Sequence, residues 1–175
     1  IRKVLEREYG RPISEIFSDF EEQAIASASI AQVHRATLKS GEQVAIKVVK
    51  PGVRRRMADN LKLWNWAIQS LHACVPPVRH FNMPARVSEI SKLLTEQLSM
   101  QQEQFNHGQI APNFKNHPYV RIPKLYEKYC TDSILVMEFV DAIRGADFER
   151  VDMSREELAR RLQDVVYTML YMDGV

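Results

Sequence analysis

The chain has 175 residues, of which 45% are hydrophobic and 26% are charged, and its formal net charge is +2. These values are typical of a globular protein with one core, or with one core and part of a second. They argue against a nucleic-acid-binding protein that depends on bulk positive charge, and no apolar run in the sequence is long enough to span a bilayer.

The first part of the sequence predicts one helix and two strands. Residues 1–9 have a helical pattern, and residues 13–24 form a short acidic connection. Side chains alternate in character over residues 30–38, which predicts a strand at the surface of a sheet. Residues 39–42 supply a turn, and the β-branched, apolar residues 43–49 then predict an inner strand.

The rest of the chain predicts three helices and two further strands. The helices are expected at 55–75, 84–107 and 155–172, and the strands near 119–128 and 133–140. This order predicts an α+β fold, with a largely antiparallel sheet and helices on one side of it. Because the first helix has no N-cap and the last is still apolar where the chain ends, we expect the chain to be part of a longer protein.

The helix predicted at 55–75 is apolar on several faces. It contains Trp64 and Trp66 together with leucine and isoleucine residues. Burial within a pair of helices would explain this composition, and so would contact with a membrane or a partner.

Lys47 is the one charged residue in the predicted inner strand, where it lies between Ile46 and Val48. An ammonium group in such a strand is costly unless it has an anionic partner or a route to solvent. An edge strand with Lys47 facing water would provide that route, although the neighbouring residues leave no polar face. The segment VAIKV also resembles the protein-kinase strand whose lysine contacts nucleotide phosphates and pairs with a glutamate from a helix.

The segment ILVMEFVDA, residues 134–142, resembles the fifth strand and hinge of protein kinases. In that hinge, backbone groups form hydrogen bonds with the adenine edge of the nucleotide. By this match Met137 would guard the back of the pocket, while Glu138 would offer a carbonyl and Val140 an amide. A core strand that simply ends in a loop would explain the same residues.

Residues 24–36, AIASASIAQVHRA, stand where ordinary kinases have a glycine-rich loop over the phosphates. No glycine occurs between Gly10 and Gly41, and each alanine adds a Cβ that restricts the backbone. We therefore expect a stiffer loop that lies differently over a bound nucleotide.

Together with EQFN at residues 103–106, these segments resemble the UbiB family of atypical kinases, also called aarF-domain or ADCK kinases. The resemblance covers nearly the whole chain. It implies a protein-kinase-like fold that binds ATP with Mg²⁺, and a role as an ATPase or small-molecule kinase in ubiquinone biosynthesis or lipid homeostasis. It also implies a mitochondrial, plastid or bacterial membrane-associated location, and contact with a membrane or a quinone-biosynthesis complex.

The resemblance assigns roles to individual residues of this sequence. Lys47 would hold the phosphates, and Glu103 would orient Lys47. Residues 1–141 would form a kinase-like N-lobe with a helical insertion, and residues 142–175 the hinge exit and the start of a helical C-lobe. The nucleotide-binding residues that the resemblance implies are Ala26, Ser27, Ala28, Ser29, Ile30, Val33, Ala45, Lys47, Met137, Glu138 and Val140.

The sequence leaves two interpretations of Glu103 open. On one continuous helix, Glu103 would lie in line with Glu89 and Glu96 at seven-residue spacing, which a solvated acidic stripe explains. An ion pair with Lys47 would instead require the helix to break or to bury two faces.

Two features separate this chain from a complete kinase. The family usually has Glu-x-Asp six residues before the glutamate of the ion pair. In this chain residues 97–99 are Gln-Leu-Ser, so both carboxylates are missing. The neighbouring carboxylate of Glu96 is out of register by one residue. The resemblance also places the catalytic loop after Val175 and the lysine-glycine-glutamine motif before Ile1. We therefore predict no metal ligands within the chain, and a pseudokinase-like scaffold stays an alternative to an enzyme.

Overall fold

A computed structural model describes residues 1–74, 83–96, 98–143 and 145–173 of the chain. Within these ranges the α-helices are α1 (Arg2–Tyr9), α2 (Val53–Cys74), α3 (Met83–Glu96), α4 (Met100–Ile110) and α5 (Arg155–Thr168). The strands are β1 (Phe17–Phe20), β2 (Ala26–Ser27), β3 (Ala31–Leu38), β4 (Gln43–Val49) and β5 (Ile134–Glu138).

The five strands form one antiparallel sheet. Its order is β1–β3–β4–β5, and β2 also pairs with β3. The turn between β3 and β4 uses Gly41 at φ 97°, a conformation that glycine adopts without strain. Because β4 has a neighbour on each side, the prediction of an inner strand at 43–49 is confirmed, and the edge-strand explanation of Lys47 is wrong.

Strand β4 separates two hydrophobic clusters because successive side chains of a strand point to opposite faces. On one face, Ile46 is fully buried and belongs to a cluster that includes Leu5 of α1. On the other face, Val49 belongs to a second cluster with Val53 of α2 and Met100 of α4. The α+β fold is confirmed, but helices contact both faces of the sheet, so the prediction of helices on one side is wrong.

The acidic connection predicted at 13–24 contains strand β1. This strand pairs with β3, and the register is irregular between Phe17 and Asp19. Its central residues, Ser18 and Asp19, are both polar and exposed. A four-residue edge strand with two polar central residues lacks the alternating pattern that identifies a strand from sequence, so the prediction was wrong here.

The strand predicted near 119–128 is not formed. In this stretch, which lies within the described residues, the contact with the sheet is an isolated bridge between Leu125 and Met137. Two further backbone bonds join this stretch to β5: the amide of Tyr126 donates to the carbonyl of Val136 at 2.9 Å, and the amide of Glu138 donates to the carbonyl of Lys124 at 2.8 Å. Pro123 has no N–H to donate to a neighbouring strand, which limits regular pairing along this segment.

The helix predicted at the start of the chain and the helix predicted at 55–75 are confirmed as α1 and α2. The last predicted helix is present as α5, which ends at Thr168 and is followed by a π-helical turn over Met169–Asp173. Among the described residues, no helix combines the length and the apolar character needed to cross a bilayer. The division of the chain into two lobes at residues 141 and 142 stays a prediction.

Ile46 lies at the centre of the first cluster, so its replacement tests the importance of that core. We expect Ile46→Ala to lower the free energy of unfolding by about 2–5 kcal/mol, because the substitution leaves a cavity among groups that cannot fully close it. Urea denaturation followed by circular dichroism measures this change. Ile90→Ala, at a side chain in α3 that is more than half exposed, is the matched control, and an equal loss in both variants would contradict the prediction.

Candidate functional site

One face of the sheet brings together several of the residues that the sequence identified. In the antiparallel register, Lys47 pairs with Val33 on one side and with Leu135 on the other. In a neighbouring row, Ala45 pairs with Met137. Directly paired residues of adjacent strands project to the same face, so Val33, Ala45, Lys47 and Met137 share one surface. All four are half-buried, whereas the opposite face of β4 is packed into the first cluster.

Lys47 forms an ion pair with Glu103 of α4. Its Nζ donates to both carboxylate oxygens, at 2.5 Å to Oε1 and 2.7 Å to Oε2. The Lys47 side chain is 28% exposed and the Glu103 side chain 35%, so water still reaches the pair. The charge within the apolar strand therefore has an anionic partner and a route to solvent, and the contact that the resemblance implied is present.

Glu103 reaches Lys47 because the helix predicted at 84–107 is interrupted. It consists of α3, which ends at Glu96, and α4, which begins at Met100. Ser99 has extended backbone angles, and its hydroxyl accepts a bond from the amide of Gln102 at 3.4 Å. Serine is a favoured N-cap, so Ser99 starts a new helix.

This interruption decides between the two interpretations of Glu103. Glu89 belongs to α3, whereas Glu103 lies in the first turn of α4, so the two carboxylates do not form one stripe on a continuous helix. The prediction of a single helix was wrong, and the ion-pair interpretation is confirmed. The Glu96 side chain and residue 97, where a substitute carboxylate was considered, lie outside what the structure describes.

The alanine-rich segment forms a tight hairpin beside this face. Ala26 pairs with Val33, and the amide of Ala28 donates to the carbonyl of Ala31 at 2.9 Å. Ser29 and Ile30 are therefore the two residues at the tip of the turn. The hairpin continues strand β3, which contains the site residue Val33, so the loop and the sheet face form one connected unit.

Lys50 connects the tip of this hairpin to the end of β4 through two hydrogen bonds. Its Nζ donates to the carbonyl of Ala28 at 2.5 Å, and its amide donates to the carbonyl of Ile30 at 2.8 Å. Lys50 is not among the site residues predicted from the sequence. A signal for it was present, because Lys50 is a charged residue placed between the inner strand and the turn that begins at Pro51.

The residues expected to contact adenine lie at the end of β5. The amide of Glu138 donates to the carbonyl of Lys124 at 2.8 Å, and its carboxylate is bonded to the Arg121 guanidinium. Val140 follows the strand and is exposed. A cavity of about 440 Å³ begins one residue later, and its lining includes Asp141. The nucleotide contacts of Glu138 and Val140 stay predictions.

A larger cavity of about 700 Å³ lies at the C-terminal end of α4. It is lined by residues between His107 and Glu127, and none of the site residues predicted from the sequence is among them. The cavity near the end of α4 does not contain Lys47 or Glu103, the two residues whose pairing the family resemblance implies. We therefore assign the candidate site to the sheet face and its ion pair.

The chemistry of this face fits a nucleotide. Lys47 offers an ammonium group for phosphate, while Val33, Ala45 and Met137 offer half-buried apolar surface for a flat base. The described residues contain no group of three or more histidine, cysteine, aspartate or glutamate side chains arranged to hold a metal ion.

The comparisons with known proteins identify the family. The family described as ABC1 atypical kinase-like domain matches residues 1–175. The chain belongs to this family. Two curated relatives are each named probable protein kinase UbiB. The relative from Pseudomonas fluorescens (strain Pf0-1) is 32% identical over 98% of this chain and 33% of its own length. The relative from Serratia proteamaculans (strain 568) is 34% identical over 99% of this chain and 33% of its own length.

This chain therefore spans about a third of the length of these relatives. Among solved structures, the complex of Rv3197 with erythromycin from Mycobacterium tuberculosis matches with a TM-score of 0.70. That match has 24% sequence identity and covers 88% of this chain and 38% of the solved chain. At this identity the likeness shows the fold alone. Together with the family's description as an atypical kinase-like domain, it confirms the kinase-like fold that the resemblance implied.

Residues 97–99 differ from the Glu-x-Asp pattern of the family, and the structure shows what this difference keeps and what it removes. Ser99 occupies the position where the resemblance places an aspartate, and it caps α4. Aspartate and serine are both good N-caps, so this substitution keeps the helix start while it removes a negative charge. Leu98, the middle residue, is buried in the second cluster.

The contact between Lys50 and Ala28 can be tested through the hairpin. We expect Lys50→Met to speed hydrogen exchange at the Ala28 amide about fivefold, which corresponds to about 1 kcal/mol for one lost hydrogen bond. Exchange resolved by NMR measures this change. Lys39→Met, at an exposed lysine in the next turn, is the control and should leave the Ala28 amide unchanged. Equal exchange in the two variants would contradict the role of Lys50.

Proposed function

We propose that this chain is the ATP-binding portion of an atypical kinase or ATPase of the UbiB type. The observation that supports this proposal best is the ion pair between Lys47 and Glu103. In protein kinases, a lysine on a strand and a glutamate on a helix must be paired for phosphoryl transfer. Family membership and the alanine-rich hairpin at residues 26–30 support the same assignment.

In this proposal each group of residues has a separate task. The Lys47 ammonium binds phosphate oxygens, and Glu103 keeps that ammonium in place from α4. Ala26, Ser27, Ala28, Ser29 and Ile30 cover the phosphates as a hairpin. Val33, Ala45 and Met137 contact the base, while the Glu138 carbonyl and the Val140 amide bind its polar edge. Mg²⁺ bound with the nucleotide would neutralise phosphate charge, with ligands from outside the described residues.

The names of the relatives support a proposal for the wider role. We propose that the whole protein acts in ubiquinone biosynthesis or lipid homeostasis, which agrees with the UbiB name of its relatives. The substrate of such an enzyme would be a small molecule or a lipid rather than a protein.

A pseudokinase-like scaffold, which binds nucleotide without transferring phosphate, is the second candidate. The observation that favours it is Ser99, a neutral residue whose hydroxyl is occupied at the start of α4. In this alternative the Lys47–Glu103 pair serves nucleotide binding alone. The two candidates agree on affinity for ATP and differ on its turnover.

Lys47→Ala tests the nucleotide site directly. In the full-length protein with Mg²⁺, we expect the Kd for ATP to rise about tenfold to a hundredfold, because hydrogen bonds to charged groups contribute about 1.5–3 kcal/mol. Isothermal titration calorimetry measures this change. Lys62→Ala is the matched control, because the Lys62 side chain is 81% exposed and lies outside the site. An unchanged Kd in Lys47→Ala would exclude the proposed site.

The same variant separates the two candidate functions. An enzyme that works as proposed hydrolyses ATP or transfers its phosphate, and Lys47→Ala abolishes that turnover. A scaffold binds ATP with an affinity that depends on Lys47 but shows no turnover above the background of a mock purification. Turnover that survives Lys47→Ala would contradict the enzyme mechanism as proposed.

We further propose that α2 contacts a membrane. Trp66 and Leu63 are 67% and 61% exposed, and the basic residues Arg55 and Lys62 lie on the same helix. Exposed aromatic and aliphatic side chains combined with lysine and arginine are typical of helices that bind the surface of anionic bilayers. The family resemblance implies membrane association as well.

A double substitution tests this surface. We expect Leu63→Ser/Trp66→Ser to reduce co-flotation of the full-length protein with anionic phospholipid vesicles severalfold, because both side chains lose their apolar burial in the lipid. Ile143→Ser, at an exposed residue after β5, is the control. Flotation that is equal in the two variants would exclude α2 as the contact.

A further inference from the structure

Arg54, in the first turn of α2, joins three separate parts of the chain. Its Nη2 donates to the carbonyl of Leu98 at 2.9 Å and to the carbonyl of Asp132 at 2.6 Å. Its Nη1 donates to the Asp132 carboxylate. One guanidinium therefore connects the start of α2, the interruption before α4 and the residue two places before β5. The planar fork of arginine suits this set of bonds, which a single ammonium group cannot reproduce.

Asp132 binds the start of α4 in two further ways. Its Oδ1 accepts a bond from the Ser99 hydroxyl at 3.1 Å, and its carbonyl accepts a bond from the Met100 amide at 3.0 Å. We call Arg54, Ser99 and Asp132 the capping cluster. The Ser99 hydroxyl donates its O–H to Asp132, and its oxygen accepts from the Gln102 amide, so its position is restrained from two directions.

The capping cluster, whose Arg54 and Asp132 side chains are 42% and 43% exposed, binds backbone groups of two buried residues at the helix interruption. Leu98 and Met100 are both buried in the second hydrophobic cluster. Backbone groups near a buried helix end need partners, since water cannot satisfy them there. Arg54 satisfies the Leu98 carbonyl, and the Asp132 carbonyl satisfies the Met100 amide. These bonds specify which residue begins α4.

The first residue of α4 in turn determines where Glu103 points. The amide of Glu103 bonds to the carbonyl of Ser99 at 3.4 Å, one helical turn away. Each residue of an α-helix rotates the side-chain direction by about 100°, so if a neighbouring residue took the place of Ser99 against Asp132, the whole helix would shift in register and turn the Glu103 carboxylate away from Lys47. The geometry of the ion pair thus depends on the helix start.

We propose that Arg54 and Asp132, acting through Ser99, are positioning residues that hold Glu103 against Lys47. This inference rests on the proposed nucleotide-binding function and extends it to residues outside the site. Neither Arg54 nor Asp132 is expected to contact the nucleotide. Their effect on ATP binding passes entirely through the ion pair, and this dependence distinguishes positioning from a general contribution to stability.

A double-mutant cycle on ATP affinity in the full-length protein tests the inference. Arg54→Gln is measured alone and in the Glu103→Gln background, with Arg55→Gln as the matched control because the Arg55 side chain is 89% exposed. We expect Arg54→Gln alone to raise the Kd for ATP about threefold to tenfold. In the Glu103→Gln background the same substitution should change the Kd less than twofold, because no ion pair is left to position.

The outcomes separate the inference from the proposed function. If Arg54→Gln weakens ATP binding by the same factor in both backgrounds, or has no effect in either, the positioning role is overturned while the nucleotide site stands. If Lys47→Ala leaves the Kd unchanged, the proposed site fails and the positioning role fails with it. Asp132→Asn, which keeps the backbone carbonyl and the size of the side chain, replaces Arg54→Gln in the cycle if that variant does not fold.

Discussion

The pairing of the Lys47 ammonium with the Glu103 carboxylate is the interaction on which the candidate site depends. It joins an inner strand to a helix that lies 56 residues further along the chain. The cost of placing a cation in an apolar strand is reduced because the partner is close and both groups keep partial contact with water. Removal of either residue would leave the other charge without its partner, so the pair constrains the sheet and the helix together.

The ion pair lies on a face of β4 that is buried at one end and half-buried at the other. One face of β4 is packed into the first hydrophobic cluster, whereas the other face is covered by the second cluster at Val49 and left half-buried at Ala45. Lys47 lies between these two positions on the same face. The strand thus contributes to the core on one side and to the candidate site on the other, which explains why its sequence is apolar almost throughout.

The sequence predicts correctly the strands whose formation depends on neighbouring residues. The strands at 30–38 and 43–49 follow from side-chain alternation, β-branched residues and a turn with Gly41, and all of these are read within a short window. The start of α4 has a local signal, because Ser99 and Gln102 have the spacing of a capping box, but its contact with Asp132 spans 33 positions and could not be read from the sequence. Lys50 and Arg54 are charged residues that the sequence shows, but their partners could not be read from it. Lys50 bonds to Ala28, 22 positions away, and Arg54 bonds to Leu98 and Asp132, 44 and 78 positions away.

The tight hairpin at residues 26–31 has a thermodynamic consequence for ligand binding. A mobile glycine loop must be ordered when it closes over phosphates, and each backbone residue that becomes fixed costs about 1–2 kcal/mol in conformational entropy. In this chain the hairpin already has its own ladder and the Lys50 bond, so less ordering would remain if it covers phosphates as proposed. A preorganised lid lowers the entropic cost of association and permits less adjustment to ligands of a different shape.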